Sequence, residues 1–221
     1  MEIRFHRKPR LLRKSGSEFH LLCERYFKNI PIGENISEEF KLWIEKIKDI
    51  IYIDESKIYL PEYEVRIKIG ENYLTAKYDL VIIDDNSIEI WDWKTESQKT
   101  SYKNIESRMQ TIVYMYLAKE VIQKIYNMDI PIENISMKYF RLKVDDKPIT
   151  VKYSSEKYLR SKSFIENNIE NISNLDFDLH IQKNKNHCKF CEFNKLCNNK
   201  NINYDIIDEN IDFDEMIEED D

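Results

Sequence analysis

The sequence predicts one α/β domain over residues 1–204, in which a mixed β-sheet is flanked by helices. Helical spacing of apolar residues predicts helices before residue 52 and again at about 101–127 and 155–172. Strand-like alternation fills residues 57–93, and two more strands are predicted at 135–143 and 148–153. With 221 residues and 42% hydrophobic side chains, the chain is long enough to bury one substantial core.

Two helices are predicted in the first fifty residues. Ser17 is a good N-cap residue, and the apolar residues that follow it have the spacing of one helical face, which includes Cys23. Ser37 precedes the second helix, with Glu38 and Glu39 in its first turn. Cys23 is therefore expected to point into packed structure.

The strands of residues 57–93 are predicted to form a β-meander, with turns at 70–72 and 84–87. Asp79 lies where a buried strand run begins, and a carboxylate in that position needs a partner or a metal ion to offset its desolvation. In the long helix predicted after the meander, Gln110 and Tyr114 lie one turn apart.

Charge is distributed unevenly along the chain. The formal net charge is −7, yet residues 205–221 carry ten carboxylates and no base, so the remaining chain has 34 bases against 31 acids. We expect this acidic tail to be disordered. Six bases within the first fourteen residues are consistent either with an arm that faces phosphates or with an ordinary solvated terminus.

The chain has no apolar run of eighteen residues and no secretory leader, so we expect a soluble, cytoplasmic protein that does not bind membranes. In a reducing compartment its four cysteines are more plausible as thiolate ligands than as two disulfides. Three of them, Cys188, Cys191 and Cys197, lie within ten residues, and this bunching indicates a metal or cluster site rather than core filling.

The most informative motif is Asp79 followed by Asp92-Trp93-Lys94, because both segments read as strands. Asp79 and Asp92 could hold Mg²⁺ or Mn²⁺ beside a phosphodiester, and the Trp93 carbonyl could add an oxygen ligand. Lys94 lies two residues after Asp92 and is expected on the same face, where it could position or activate a water molecule. An ordinary surface Asp–Lys pair is the alternative.

Together these motifs resemble the RecB-like branch of the PD-(D/E)XK nuclease superfamily, over roughly residues 15–200. The resemblance rests on Asp79, on Asp92-Trp93-Lys94-Thr95, and on Gln110 with Tyr114. It implies a restriction-endonuclease-like core and assigns catalysis to Asp79, Asp92 and Lys94. Gln110 and Tyr114 are then expected to contact nucleic acid or to support the active site.

The cysteine arrangement is similar to that of iron–sulfur members of this branch, the AddB-type nuclease domains and the CRISPR-associated RecB-like exonucleases. The resemblance implies a structural 4Fe-4S cluster that joins the N-terminal and C-terminal segments. Its ligands would be Cys23, Cys188, Cys191 and Cys197. A Zn²⁺ ion with the same four ligands is the alternative.

The family's usual histidine ligand has no counterpart between Gly33 and Phe40. Glu38 could replace it, or His20 could reach the metal from the first helix, although a lone helical histidine is more often structural. Either Glu62 or Glu64 could assist a second metal, although both read more simply as solvent-facing strand residues.

The function expected from this resemblance is metal-dependent hydrolysis of DNA, as an exonuclease with a preference for single-stranded ends. Its partners would be DNA and the proteins of a DNA-processing complex, and CRISPR adaptation, DNA repair and phage DNA processing are all open as its pathway. A catalytically inactive nucleic-acid-binding module, or a protein adaptor with the same fold, is the alternative. Electron transfer through the cluster is less attractive because no flavin or second cluster motif is visible.

Overall fold

The computed structural model describes residues 10–33, 35–95, 101–174 and 194–199. Seven α-helices and five β-strands lie in these ranges, together with a π-helical segment at Ala118–Ile122 and a 3-10 turn at Ile132–Asn134. The helices are α1 (Arg10–Phe27), α2 (Glu38–Ile50), α3 (Tyr102–Ser107), α4 (Met109–Leu117), α5 (Gln123–Ile125), α6 (Ser155–Ser173) and α7 (Asn194–Asn198). The strands are β1 (Ile58–Ile69), β2 (Asn72–Ile83), β3 (Ile88–Lys94), β4 (Ile135–Arg141) and β5 (Ile149–Lys152).

The five strands form one mixed sheet in the order β1-β2-β3-β4-β5. Strands β3 and β4 are parallel and are connected through α3 to α5, whereas the other neighbours are antiparallel. The predicted α/β architecture, a mixed sheet flanked by helices, is confirmed.

Helices cover both faces of the sheet because its central strands are apolar on both sides. On one face α1 and α2 pack against alternate strand residues that include Leu80, Trp91 and Trp93. On the other face α4 and α6 pack against the intervening residues, which include Val81 and Ile90. By this alternation Asp92 and Lys94 belong to the α4 face.

The helix caps were predicted with mixed success. Ser37 caps α2 as predicted, because its side chain accepts a hydrogen bond from the Phe40 backbone amide. The prediction that Ser17 begins the first helix is wrong, since α1 starts at Arg10 and Ser17 lies inside it. The preceding segment Arg10–Lys14 consists of leucine, arginine and lysine, which are strong helix formers and extend the helix backwards.

The single long helix predicted for residues 101–127 is also wrong. Arg108 adopts φ −56° and ψ 138°, which ends α3 and starts α4 in a new direction. The Thr111 hydroxyl donates to the carbonyl of Ile105, an oxygen that a continuous helix would pair with an amide, and it also contacts the Tyr139 hydroxyl at 2.9 Å. This local exchange of partners stabilises the break.

Several predictions concern residues outside the described ranges. The acidic tail, Cys188 and Cys191 lie there, and the described part of the N-terminal basic segment begins at Arg10. Within the described ranges, no helix is both long enough and apolar enough to cross a membrane.

The backbone of β1 has a positive φ at Glu62, in the middle of the ribbon formed by β1 and β2. The pairs Pro61–Leu80 and Tyr63–Tyr78 flank this position, so Glu62 lies opposite Asp79, and its φ is +51°. A left-handed backbone costs a side-chain-bearing L-residue about 1–2 kcal/mol, and such strain clusters at functional sites. The Glu62 carboxylate points towards α1, where it contacts His20.

Glycine in a strand is normally less stable than alanine, but the positive φ at Glu62 predicts the reverse order at this position. Because glycine adopts positive φ without a Cβ clash, we expect Glu62→Gly to be more stable than Glu62→Ala by about 1 kcal/mol. Urea denaturation of both variants in EDTA measures this difference with the carboxylate removed in each. Equal stabilities, or a more stable alanine variant, would show that the backbone at this position is not strained.

Candidate active site

The candidate site lies where β2 and β3 separate. Their ladder runs from the pair Ile83–Ile88 to the pair Leu80–Trp91 and ends there. At the next position the Asp79 carboxylate occupies the gap between the strands, and its Oδ2 accepts a hydrogen bond from the Trp93 backbone amide at 2.7 Å. Asp79 and Asp92 therefore face each other across an open fork in the sheet.

Three side chains from separate elements meet on one side of this fork. Nδ1 of His20, on α1, lies 3.1 Å from Asp79 Oδ1 and 3.4 Å from Glu62 Oε1. One ligand atom from each of His20, Glu62 and Asp79 lies within 4.8 Å of the other two. The second Glu62 oxygen, Oε2, lies 2.5 Å from Lys77 Nζ.

The protonation of His20 reflects its two acidic neighbours. Burial disfavours the imidazolium, but hydrogen bonds to Asp79 and Glu62, together with their charges, outweigh burial and raise the pKa of His20 to about 10. His20 is therefore a cation at neutral pH in the metal-free protein. The same contacts lower the pKa of Glu62 despite its partial burial.

Asp92 and Lys94 lie on the other arm of the fork, and Gln110 of α4 bridges them. Lys94 Nζ is 3.1 Å from Asp92 Oδ2. Gln110 accepts a hydrogen bond from Lys94 at 3.2 Å and donates one to Asp92 Oδ1 at 2.6 Å. One amide therefore fixes the orientation of both charged groups.

Asp92 is only 2% exposed, and its environment disfavours the charged form. Burial, opposed by Lys94 and reinforced by the charge of Asp79, raises the pKa of Asp92 to about 6. Among the described residues, Oδ2 of Asp92 is buried without a hydrogen-bond partner, so its contact with Lys94 is an ion pair that lacks hydrogen-bond alignment. A divalent metal ion coordinated by this oxygen would satisfy it.

Tyr114 lies one turn after Gln110 and ties α4 to β2. Its hydroxyl donates to the Lys77 carbonyl, and its own carbonyl accepts from the Tyr78 hydroxyl at 3.0 Å. The two rings pack edge to face with centroids 4.7 Å apart. The structure thus places Tyr114 as a brace between the helix that carries Gln110 and the strand that carries Asp79.

The orientation of Trp93 bears on its predicted carbonyl ligand. In an extended strand the N–H and C=O groups of one residue point to the same edge. Because the Trp93 amide donates to Asp79, its carbonyl is expected at the same edge, facing the fork. The Trp93 indole packs on the opposite side, in the core with α1 and α2.

The two described cysteines differ in their surroundings. Cys23 follows His20 by one turn of α1 and is 1% exposed, as predicted for an inward-pointing residue. Burial and the charges of Asp79 and Glu62 raise the pKa of its thiol, which favours the protonated form. Cys197 is exposed on α7, and both are free thiols in the described part of the chain.

His20 and Glu62 were considered as possible metal ligands from the sequence, but they were not included in the predicted site. The structure brings both side chains to Asp79. In the structure the turn is two residues long, 70–71, and this register puts Glu62 opposite Asp79, whereas the predicted turn at 70–72 would have put Glu62 opposite Leu80. His20 had a weaker signal, its position on the polar side of α1 before Cys23. Glu38, the other suggested ligand, is instead exposed in the first turn of α2 and is paired with Lys41 at 2.6 Å.

The donor set fits a divalent metal ion. Carboxylate oxygens suit Mg²⁺ and Mn²⁺, and Mn²⁺ also accepts an imidazole nitrogen. Asp79 and Glu62 offer oxygens beside His20, and the buried Asp92 oxygen lies across the fork. Lys94, held beside Asp92, supplies a positive charge on one side.

Comparison with known proteins identifies a family for this chain. No curated protein matches the chain significantly. A family model described as the PD-(D/E)XK nuclease superfamily matches residues 4–198, which include the fork, α1 and α4. Members of this superfamily generally hydrolyse phosphodiester bonds and use divalent metals. With its match over most of the sequence and its five-stranded mixed sheet, the chain belongs to the PD-(D/E)XK nuclease superfamily.

Proposed function

We propose that this protein is a Mg²⁺- or Mn²⁺-dependent deoxyribonuclease whose catalytic residues are Asp79, Asp92 and Lys94. The observation that carries the proposal is the fork between β2 and β3, where Asp79 accepts from the Trp93 amide and Gln110 holds the neighbouring Asp92 carboxylate beside Lys94. An inactive member of the fold would have no need of a buried, poorly solvated carboxylate such as Asp92.

The metal ligands in this proposal are Asp79, Asp92 and the Trp93 carbonyl, with His20 and Glu62 added by their contacts with Asp79. A bound divalent ion would neutralise the phosphate and acidify a water molecule beside it. His20 must lose its proton before its Nδ1 can act as a ligand, because only the neutral imidazole has a lone pair to give. Lys77, which is 58% exposed, can then leave Glu62 without desolvation.

Lys94 and Gln110 have complementary roles in this account. The Lys94 ammonium is positioned to orient the attacking water and to stabilise the negative charge that develops on the phosphoryl oxygens. Gln110 is a positioning residue, because it holds the ammonium and the Asp92 carboxylate at once. Tyr114 supports this arrangement by bracing α4 against β2.

Two finer features rest on the resemblance to the RecB-like branch. The first is exonuclease action with a preference for single-stranded DNA ends, in association with other DNA-processing proteins. The second is a structural 4Fe-4S cluster held by Cys23, Cys188, Cys191 and Cys197, with Zn²⁺ as the alternative. Since a reducing compartment favours thiolate ligands over disulfides, the proposed cysteine site is in keeping with the predicted cytoplasmic location.

Removing the proposed catalytic groups should abolish cleavage without unfolding the protein. We expect Asp79→Ala, Asp92→Ala and Lys94→Ala each to lower the rate of DNA degradation in Mn²⁺ by about a thousandfold, since each removes several kcal/mol of transition-state stabilisation. Labelled single- and double-stranded oligonucleotides resolved on denaturing gels measure the effect.

Asp85→Ala is the matched control, because Asp85 lies on an exposed turn after β2 and should keep the parental rate. If the parent protein and the Asp92→Ala variant degrade DNA at the same rate, the assignment of the site is refuted. A parent that binds DNA but never cuts it would favour the inactive module.

The cysteine proposal makes a spectroscopic prediction. Protein purified without oxygen should be brown, with broad absorption near 400 nm and about four irons per chain, the iron content of one 4Fe-4S cluster. Cys197→Ala should lose the colour and much of the soluble yield, whereas Asp92→Ala should keep both.

Metal analysis decides between the alternatives at the cysteines. One zinc per chain in colourless protein would replace the iron–sulfur assignment by a tetrahedral zinc site. Protein with neither metal, and unaffected by Cys197→Ala, would show that the cysteines do not form a metal site.

A further inference from the structure

The outer face of the β1–β2 ribbon is a polar strip beside the candidate active site. It consists of three facing pairs of residues, all exposed: Glu64–Lys77, Arg66–Thr75 and Lys68–Tyr73. We call this strip the ribbon face. The opposite side of the same ribbon is apolar and packs on the core through Val65 and Ala76.

The ribbon face leads directly to the fork. Side chains on one face of a strand recur every second residue, so the position after the pair Glu64–Lys77 is Glu62 opposite Asp79. Six residues separate Tyr73 from Asp79, a distance of about 20 Å at roughly 3.4 Å per residue. A linear molecule lying along the ribbon face would therefore have one end at the proposed metal ligands.

The chemistry of the ribbon face suits a polyanion with flat rings. Tyr73 is 64% exposed, and the Arg66 guanidinium lies 5.7 Å from its ring centroid. Arg66 Nε also donates to Thr75 Oγ1 at 3.1 Å, which holds the guanidinium against the sheet. An aromatic ring backed by a fixed cation offers a stacking surface for a nucleobase.

The lysines of the ribbon face are available for phosphates. Lys68 is 3.3 Å from Glu71, but both side chains are half-exposed or more, and such ion pairs contribute little and yield to a stronger anion. Lys77 reaches Glu62 from a largely exposed position beside the fork. Cations therefore flank the route from Tyr73 to Asp79.

We infer that the ribbon face binds a single strand of DNA and guides it to the fork. Tyr73 stacks on an unpaired base, and Arg66, Lys68 and Lys77 contact successive phosphates. Single-stranded DNA is favoured over a duplex because a base can stack on Tyr73 only when it is free of its partner. The inference deepens the proposed nuclease function and rests on it for the reaction at the end of the strand.

The test measures binding apart from cleavage. Fluorescence anisotropy of a labelled 20-nucleotide single strand in EDTA reports on the ribbon face whatever happens at the metal site. We expect Tyr73→Ala to raise Kd about tenfold, the size of one lost base stack, and Tyr73→Phe to stay within about twofold of the parent. Tyr52→Ala is the matched control, since Tyr52 is 88% exposed but lies outside the ribbon face.

A salt titration tests the phosphate contacts. Each lost contact with a single strand should reduce the slope of log K against log salt concentration by about 0.7. We expect this reduction for Arg66→Gln and no change of slope for Tyr73→Phe. An unchanged slope for Arg66→Gln would overturn the assignment of a phosphate to Arg66.

Hydrolysis of bis(p-nitrophenyl) phosphate in Mn²⁺ separates this inference from the proposed function. The small substrate cannot span the ribbon, so Tyr73→Ala should keep the parental rate on it while degrading the oligonucleotide more slowly through a higher KM. A parent that binds the strand in a Tyr73-dependent way but cuts neither substrate supports the ribbon face and refutes the nuclease.

Two results would overturn the inference itself. One is unchanged single-strand binding by Tyr73→Ala, with or without cleavage of the small substrate. The other is duplex DNA that binds more tightly than the single strand and with the same dependence on Tyr73, which would exclude stacking on an unpaired base.

Discussion

The hydrogen bond from the Trp93 amide to the Asp79 carboxylate is the contact on which the site depends. If the ladder had continued beyond the pair Leu80–Trp91, the backbone of β2 would have offered a partner to the Trp93 amide. Here the Asp79 carboxylate takes the place of that backbone partner. A carboxylate side chain is wider than a direct strand pairing allows, so the two strands separate where it inserts. The buried apolar residues on either side keep the rest of the sheet closed, and the opening is confined to one end of β3.

The opening concentrates charge in a poorly solvated place, and the surrounding residues balance it. In the metal-free protein three carboxylates face three cationic groups; the acids are Glu62, Asp79 and Asp92, and the bases are His20, Lys77 and Lys94. The charge of Asp92 is not fully compensated. Desolvation raises the pKa of this carboxyl, and its Oδ2 atom has no hydrogen-bond partner among the described residues. For the proposed divalent cation to bind this group, His20 must lose its proton and Lys77 must release Glu62.

The sequence predicted most elements of the fold because most signals were local. The apolar spacing of α2 and its Ser37 cap, the alternation in β1 and β2, and the bounds of α6 all follow from neighbouring residues. The break at Arg108 did not, because it is stabilised by Thr111 reaching Tyr139 on β4. A contact between residues that are distant in the sequence gives no signal in the spacing of neighbouring apolar residues.

Only part of the candidate site was predicted, again because the sequence pattern reports on neighbouring residues and not on long-range contacts. Asp92 and Lys94 share a strand, and their pairing follows from its two-residue period. His20 comes from a helix almost sixty residues before Asp79, and its approach depends on how α1 packs over the sheet. Glu62 reaches the group from a backbone position with positive φ, which residue type alone does not indicate at a glutamate.

The central claim is that these groups share one hard cation, and anomalous scattering from a crystal soaked in Mn²⁺ tests it most directly. The account predicts a single strong manganese peak in the fork, within coordination distance of Asp79 and Asp92, with the His20 imidazole turned towards the ion. No peak there, with the contacts between His20, Glu62 and Asp79 unchanged in the soaked crystal, would contradict it.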